Sequence, residues 1–525
     1  MNSGRKSTLT INMVLIIAIS TVSLMVSPWI VENHRYVNAI WLLIVAVGGY
    51  FYIVYTVASR NWLDIRGVFH AVWISTIMLA SLQLAEYQED WQEKTWFCLA
   101  IAYAVFHIGT ELGIRFGAKI SSWINRQSGK KIGRITFAFK RERLFGICLG
   151  VTLFGFCCFI ANILIRGYIP FFAPGGNSYL NFYTKFYLFA VASCMISGLC
   201  YYTLKTQDLV MWKKTAMYVC IAYSTFAFPI LTVSRGTFLT SALSLSVAVF
   251  YLNKRRFWVL VACVVVLVGG YLLGSVVRGY SEAQLNAFFE PSKIPVQTPT
   301  ESVPAPASTP ETVPPAIPTE SVPAPTSSPE TVPPVIPTES VPTPTSSPET
   351  VPPTIPHETA PQDSKFFQLS GKAAFVYSYL TVSHDNFNEA VQNVQDYTYG
   401  VRQLAPFNVI LRIPYISNAI NDGKVYLVRQ HLNTTNLIGD AYYDFGIVGV
   451  GVLMLIWAFI FGAIQGCYFA GEGPFALLAL GNTMTPVAFC FFATWMSVFS
   501  HWMHWGMVLI LWMIACISIE HKKSN

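Results

Sequence analysis

Charge is what this sequence has least of. Aspartate, glutamate, lysine and arginine make up 12% of its 525 residues, about half the share usual in soluble domains. Hydrophobic residues make up 53%, and the two figures together exclude a water-soluble protein. Metal signatures are missing too: no HExxH, DxD or CxxC occurs, so no metal ion and no other cofactor is expected. The eleven cysteines, Cys98, Cys157, Cys158 and Cys490 among them, all fall in apolar runs. That placement excludes a disulfide framework or zinc spacing, and they read as small hydrophobes. The formal charge of +7 does not call for nucleic acid, because cytoplasmic loops of membrane proteins are rich in lysine and arginine. No convincing small-residue cleavage site follows the basic start MNSGRKSTLT, so the first apolar run reads as a spanning helix and not a removed signal.

Long apolar runs are what the chain has in quantity. They lie at about 11–30, 37–58, 67–87, 95–116, 144–165, 184–204, 215–233, 237–252, 257–277, 444–469, 475–499 and 502–519. A spanning helix needs roughly 20 apolar residues, so the pattern predicts an all-α polytopic membrane protein of about twelve helices. The loops holding Arg60 and Arg66, Lys119 to Arg143, Lys205 to Lys214, and Lys254 to Arg256 fall on one side, with both basic tails. The positive-inside rule makes that side cytoplasmic. The other side receives the acidic loop Glu86–Glu93, the loop Arg166–Tyr183 and everything from 278 to 443.

The chain thus divides into a membrane part at 1–277, a loop start at 278–298, a repeat at 299–355, an ordered external segment at 366–443 and a second membrane part at 444–525. The repeat begins PTESVPAPASTPETVPPAI and recurs from 299, 318 and 337 with a period of nineteen residues. Rich in proline, serine, threonine and glutamate, it cannot bury a core and reads as an extended tether. Phe366–Asn393 reads as an amphipathic helix, its aromatics against the membrane and Asp385, Asn386 and Glu389 facing water.

Tyr397–Gly446 concentrates the polar chemistry. Arg402, Arg412 and Arg429 hold permanent charge with planar donors suited to phosphate or carboxylate. Arg166, Arg235 and Arg278 stand at helix ends assigned to the same side. Charges at membrane depth become a functional hypothesis when several converge, so the six are expected to form an anion site above the membrane. Snorkelling to headgroups is the alternative for each alone. His431, Asp440 and Asp444 are the candidate bases, and the two aspartates, four apart, share a face if the tenth helix begins early. His501 and His504, interleaved with tryptophan in SHWMHW, read as an interfacial belt or a headgroup contact.

The SRG between two helices (234–236), GYIPFF (167–172) and LNTTNLIGDAYYDFGIVGVG (432–451) together resemble bacterial oligosaccharide repeat-unit polymerases of the O-antigen polymerase (Wzy) type. Asn433, Thr434, Asn436, Tyr443, Asp444, Phe445, Gly446 and Gly449 fit that family's pattern. The resemblance implies a GT-C-like fold in the bacterial inner membrane and glycosyl transfer on its outer leaflet. Donor and acceptor would be undecaprenyl-pyrophosphate-linked oligosaccharides, with a flippase and a chain-length regulator as partners. Arg166, Arg235, Arg278, Arg402, Arg412, Arg429, Asn433, Asn436 and Tyr443 would bind substrate, and no metal would be required. Two rival readings stand beside it: an O-antigen ligase, whose usual histidine–asparagine pair is replaced here by HLN, and a lipid-linked oligosaccharide flippase.

Overall fold

The computed structural model describes residues 3–127, 131–132, 135–137, 139–172, 184–253, 257–259, 261–265, 269, 369, 371–422, 425–429, 432–471 and 473–519. The repeat, most of the expected span at 257–277, Arg278 and His431 lie outside the described residues. Among the described residues, eight helices are long and apolar enough to cross a membrane, fewer than the twelve runs read from the sequence. Part of the difference is fusion. Helix α1, Ser3–Tyr52, contains two of the expected spans with a break at His34 (φ −144°). Trp41 Nε1 donates to Ser23 Oγ at 3.0 Å, although eighteen residues of straight helix would separate them by about 27 Å. The chain therefore doubles back at His34, and the two halves of α1 lie side by side. A further part is length, since α2, Ile65–Ser81, is apolar but only 17 residues long.

Helices α3 (Glu93–Gln127) and α12 (Gly439–Gly471) form the axis of the bundle. Between them run α4 (Arg143–Arg166), α5 (Lys185–Cys194), α6 (Ser197–Thr206), α7 (Met211–Ala222), α8 (Arg235–Leu252), α9 (Gly371–Asn393), α10 (Val401–Leu411) and α11 (Pro414–Asp422). Helices α13 (Pro474–Ala488) and α14 (Phe499–Cys516) close the chain. A small antiparallel sheet joins 131–132, 135–137 and 517–519.

Glycine decides how α3 and α12 meet. Gly109, Gly113 and Gly117 recur every four residues and so line one face. A Cβ on Gly113 would lie 2.1 Å from the Phe459 carbonyl oxygen, and one on Gly117 would lie 2.0 Å from that of Ala463. Reciprocally, Gly462 and Gly466 abut the backbones of Thr110 and Ile114. The constant offset along the two chains makes the helices parallel, so Glu93 and Gly439 start at the same end. Lipid supplies no hydrophobic drive between helices, and small residues that admit backbone contact are what hold them.

Further along the same pair sits a buried charge network. Asp64 caps α2 and accepts from Arg66 Nε at 2.8 Å and from Gln465 Nε2 at 2.7 Å. Arg66 also donates to Glu111 at 2.7 Å. Although burial opposes it, Arg66 holds the Asp64 carboxyl below its usual pKa. Paired in this way, the buried charges tie α2, α3 and α12 together; unpaired they would be costly.

Candidate active site

The site grows out of a break in α12. Phe445 (φ −145°) and Gly446 (φ 60°, ψ −145°) are not helical. A Cβ on Gly446 would lie 2.6 Å from the Tyr397 hydroxyl oxygen, so both the backbone angle and the space demand glycine. The break frees carbonyls that helix continuation would have used, and the preceding segment takes them up. Thr398 N donates to the Tyr443 carbonyl at 3.0 Å, and Tyr399 N to that of Asp444 at 3.1 Å.

Asp444 then builds the next element. Its carboxylate accepts from Thr398 Oγ1 at 2.5 Å, from Arg402 N at 3.1 Å and from Gln403 N at 3.0 Å. It thereby satisfies the first amides of α10, as a helix N-terminus requires. Asp444 is fully buried and acts as a clamp.

α10 in turn delivers Arg402. Its guanidinium carbon stands 3.8 Å from the centroid of the Tyr443 ring, and Nη1 reaches Asp440 Oδ1 at 3.4 Å. Tyr443 is oriented by its own contacts: its hydroxyl accepts from Tyr426 N at 2.9 Å, and the two rings lie parallel at 6.4 Å. A flat cation on an aromatic face with a carboxylate at its edge is a preorganised anion-facing group. Asp440 and Asp444 share the face expected of them, because α12 does begin early, at Gly439. On the neighbouring Tyr442, Lys94 at the head of α3 places Nζ 5.4 Å from the ring centroid.

The segment before α12 is held by α9. Asn386 Oδ1 accepts from Val428 N at 2.9 Å, and its Nδ2 donates to the carbonyls of Leu432 and Thr434. Arg429, half-buried, rides on this clamped stretch. Asn436 is buried and donates to His384 Nδ1 at 3.2 Å; His384 Nε2 meets Thr76 Oγ1 at 3.0 Å. Burial lowers the His384 pKa to about 3. Asp385 accepts from Trp91 Nε1 at 2.9 Å and Gln88 Nε2 at 3.0 Å, and burial pushes its pKa up to about 7.

These contacts correct several expectations. α9 does not turn Asp385 and Asn386 to water: both are buried, and only Glu389 is partly accessible. Asn386 serves backbone amides and carbonyls of the 428–434 stretch, while Asp385 serves the side chains of Trp91 and Gln88. Arg412 does not join Arg402: it is exposed at the far end of α10, about 15 Å along the axis at 1.5 Å per residue. Arg166 is exposed at the end of α4, and Arg235 is buried at the head of α8, behind the Ser234 cap. Asn433 is exposed. His501 and His504 are buried inside the bundle, not spread in an interfacial belt. The sequence reading passed over Lys94, Tyr426, His384 and the clamping role of Asn386. One signal was in view: SHDN places polar residues on every side of a helix, which fits a polar interior better than one wet face.

Fold and spans define a multi-pass membrane protein. Residues 67–294 match the family described as "Putative O-antigen polymerase". The match supports the resemblance and contains two of the strings that carry it, GYIPFF and SRG, whereas the third, 432–451, and the Arg402 cluster lie beyond the matched residues. No curated protein and no solved structure matches the chain.

Proposed function

We propose that this protein joins undecaprenyl-pyrophosphate-linked oligosaccharide repeat units into a surface polysaccharide on the outer leaflet of the bacterial plasma membrane. The observation that carries this reading is Arg402, laid on Tyr443 and against Asp440 at the head of a spanning helix, in a chain that matches the O-antigen polymerases over 67–294. With both termini cytoplasmic, as the basic loops indicate, that head faces the outer leaflet.

In the reaction the acceptor sugar hydroxyl attacks the anomeric carbon of the donor glycan. The new C–O bond forms as the bond to the lipid diphosphate breaks, and that electron pair passes to the departing diphosphate oxygen. Arg402, with Lys94 and Arg429 near the same segment, offsets the charge that develops there. Asp440 takes the hydroxyl proton, with His431 as the other candidate. Asp444 is not offered as the base, because its oxygens already serve the α10 amides and Thr398. Arg235 is kept as a candidate diphosphate contact, as is Arg278, which lies outside the described residues.

The test is reconstitution of the purified protein in liposomes with lipid-linked repeat units, read as a ladder of glycan lengths. Wild type yields longer chains, and Arg402→Ala lowers the rate by about 10²–10³, as loss of one transition-state donor does. Transfer to a second lipid instead would make it a ligase, and intact substrate crossing the bilayer would make it a flippase. A normal ladder from Arg402→Ala would remove this residue from the chemistry.

A further inference from the structure

The hairpin of α10 and α11 carries apolar surface that the Arg402 cluster does not use. Its inner side is fixed. Val401 is buried, Phe407 packs on Trp502 with ring centroids 5.3 Å apart, and Asp444 caps the first turn. Asn408 fixes the bend. Its carbonyl accepts from Arg412 N at 2.9 Å, its Oδ1 from Ile413 N at 2.6 Å, and its Nδ2 donates to Ser417 Oγ at 2.8 Å. Arg412 turns the corner with φ 50°. α11 is therefore held in one attitude relative to α10.

The outer side is apolar and uncovered. Leu404 and Leu411, seven residues apart and so on one stripe of α10, are 50% and 59% exposed. Ile413 and Tyr415 continue the stripe past the bend, at 39% and 72%. The Arg412 side chain is exposed beside them. A contiguous apolar surface rimmed by polar groups marks a binding partner.

What covers it follows from where it is attached. Through Asp444 and Trp502 the hairpin sits at the heads of α12 and α14, two of the spans. The outer faces of those spans carry Val448, Val452, Leu509, Ile510 and Ile514 exposed, and in a multi-pass protein such faces meet lipid. The hairpin's attachments, Asp444 at the break in α12 and Trp502 in the first turn of α14, lie at the ends of those spans from which the lipid-facing surface runs. Aliphatic residues with tyrosine and arginine at the edge suit the boundary between acyl chains and headgroups.

We infer that α10 and α11 lie flat in the headgroup–acyl boundary at that end of the bundle, as a membrane-surface anchor. Leu404, Leu411, Ile413 and Tyr415 enter the acyl region, and Arg412 stays with the headgroup phosphates. Because Arg402 stands in the first turn of α10, the anchor sets its height at the level of lipid phosphates. The inference rests on the multi-pass fold and not on the polymerase reading.

A photo-crosslinking residue, p-benzoylphenylalanine, placed at Leu411 and separately at Tyr415 of the full chain in native membranes tests it. Both positions are exposed, so the substitutions leave the packed side untouched. After illumination, mass spectrometry is expected to find phospholipid adducts at both positions, within about twofold of the yield at the lipid-facing control Val448. Glu89, exposed in the acidic loop, serves as the water-facing control and should give none. Adducts at Val448 alone would overturn the inference by showing a hairpin in water. Adducts to another protein at Leu411 and Tyr415 would overturn it by assigning the stripe to a protein partner. Neither result bears on whether the chain polymerises glycan, which the ladder assay reads separately.

Discussion

Gly113→Ala tests the axis of the bundle most directly. The added Cβ would lie 2.1 Å from the Phe459 carbonyl oxygen and 2.7 Å from Ala463 N. Ordinary contact begins at 3.4 Å, so 3.4 − 2.1 = 1.3 Å of separation must be found between two helices. Both obstructing atoms are backbone, and no side-chain rotation relieves them. Overpacking costs about 1–3 kcal/mol, and this geometry belongs at the upper end. Against it stands the gain of about 1 kcal/mol from replacing glycine by alanine within a helix. The net expectation is a loss of about 2 kcal/mol. Gly150 in α4 provides the control, since a Cβ there meets nothing within 4 Å, and Gly150→Ala keeps only the helix gain of up to about 1 kcal/mol. Tryptophan fluorescence melting of the two variants in detergent should place Gly113→Ala several degrees below wild type and Gly150→Ala at or slightly above it. Equal midpoints for the two variants would refute the close approach of α3 and α12.

Asp444→Ala should lower the melting midpoint through loss of the α10 cap, a cost of about 2 kcal/mol, whereas Asp440→Asn should melt like wild type and lose about 10²-fold or more of polymer formation; the reverse pattern in the melting and ladder assays would exchange the two roles. Asp385 gives a pH signature. Its folded pKa of about 7 lies above the 3.8 usual for an aspartate, so between those limits the folded state binds the extra proton and this group's contribution to stability falls as pH rises. His384, lowered to about 3, acts oppositely between that value and 6.5, where the unfolded state binds the proton. In Asp385→Asn the falling component should vanish, so the midpoint difference from wild type changes steadily between about pH 4 and 7 and is flat above it; a difference independent of pH over that range would show that Asp385 does not titrate there.

Much of the architecture could be read from the order of residues alone. Bilayer thickness fixes how many consecutive apolar residues make a crossing, so the spans at 95–116, 144–165 and 444–469 appear in the sequence as directly as in the fold. The string YDFG was legible only as a motif, and the fold supplies its reason. Gly446 is glycine because the backbone turns to positive φ there, and the neighbouring aspartate is available to take up amides at the break. Even the four-residue spacing of Gly109, Gly113 and Gly117 was visible, although its partner on α12, some 350 residues away, was not.

What tertiary structure decided was which polar groups serve each other. A carboxylate looks the same in sequence whether it meets water, an arginine or a helix end. Only the fold shows Asp444 closing α10 while Asp440, one turn earlier, faces the Arg402 guanidinium. Likewise, an arginine's charge can be read along the chain but its distance to another cannot, which is why Arg412 was grouped with Arg402 although α10 holds them at opposite ends. Local pattern records the cost of leaving water; the partner that offsets that cost comes from a distant segment, and only folding chooses it.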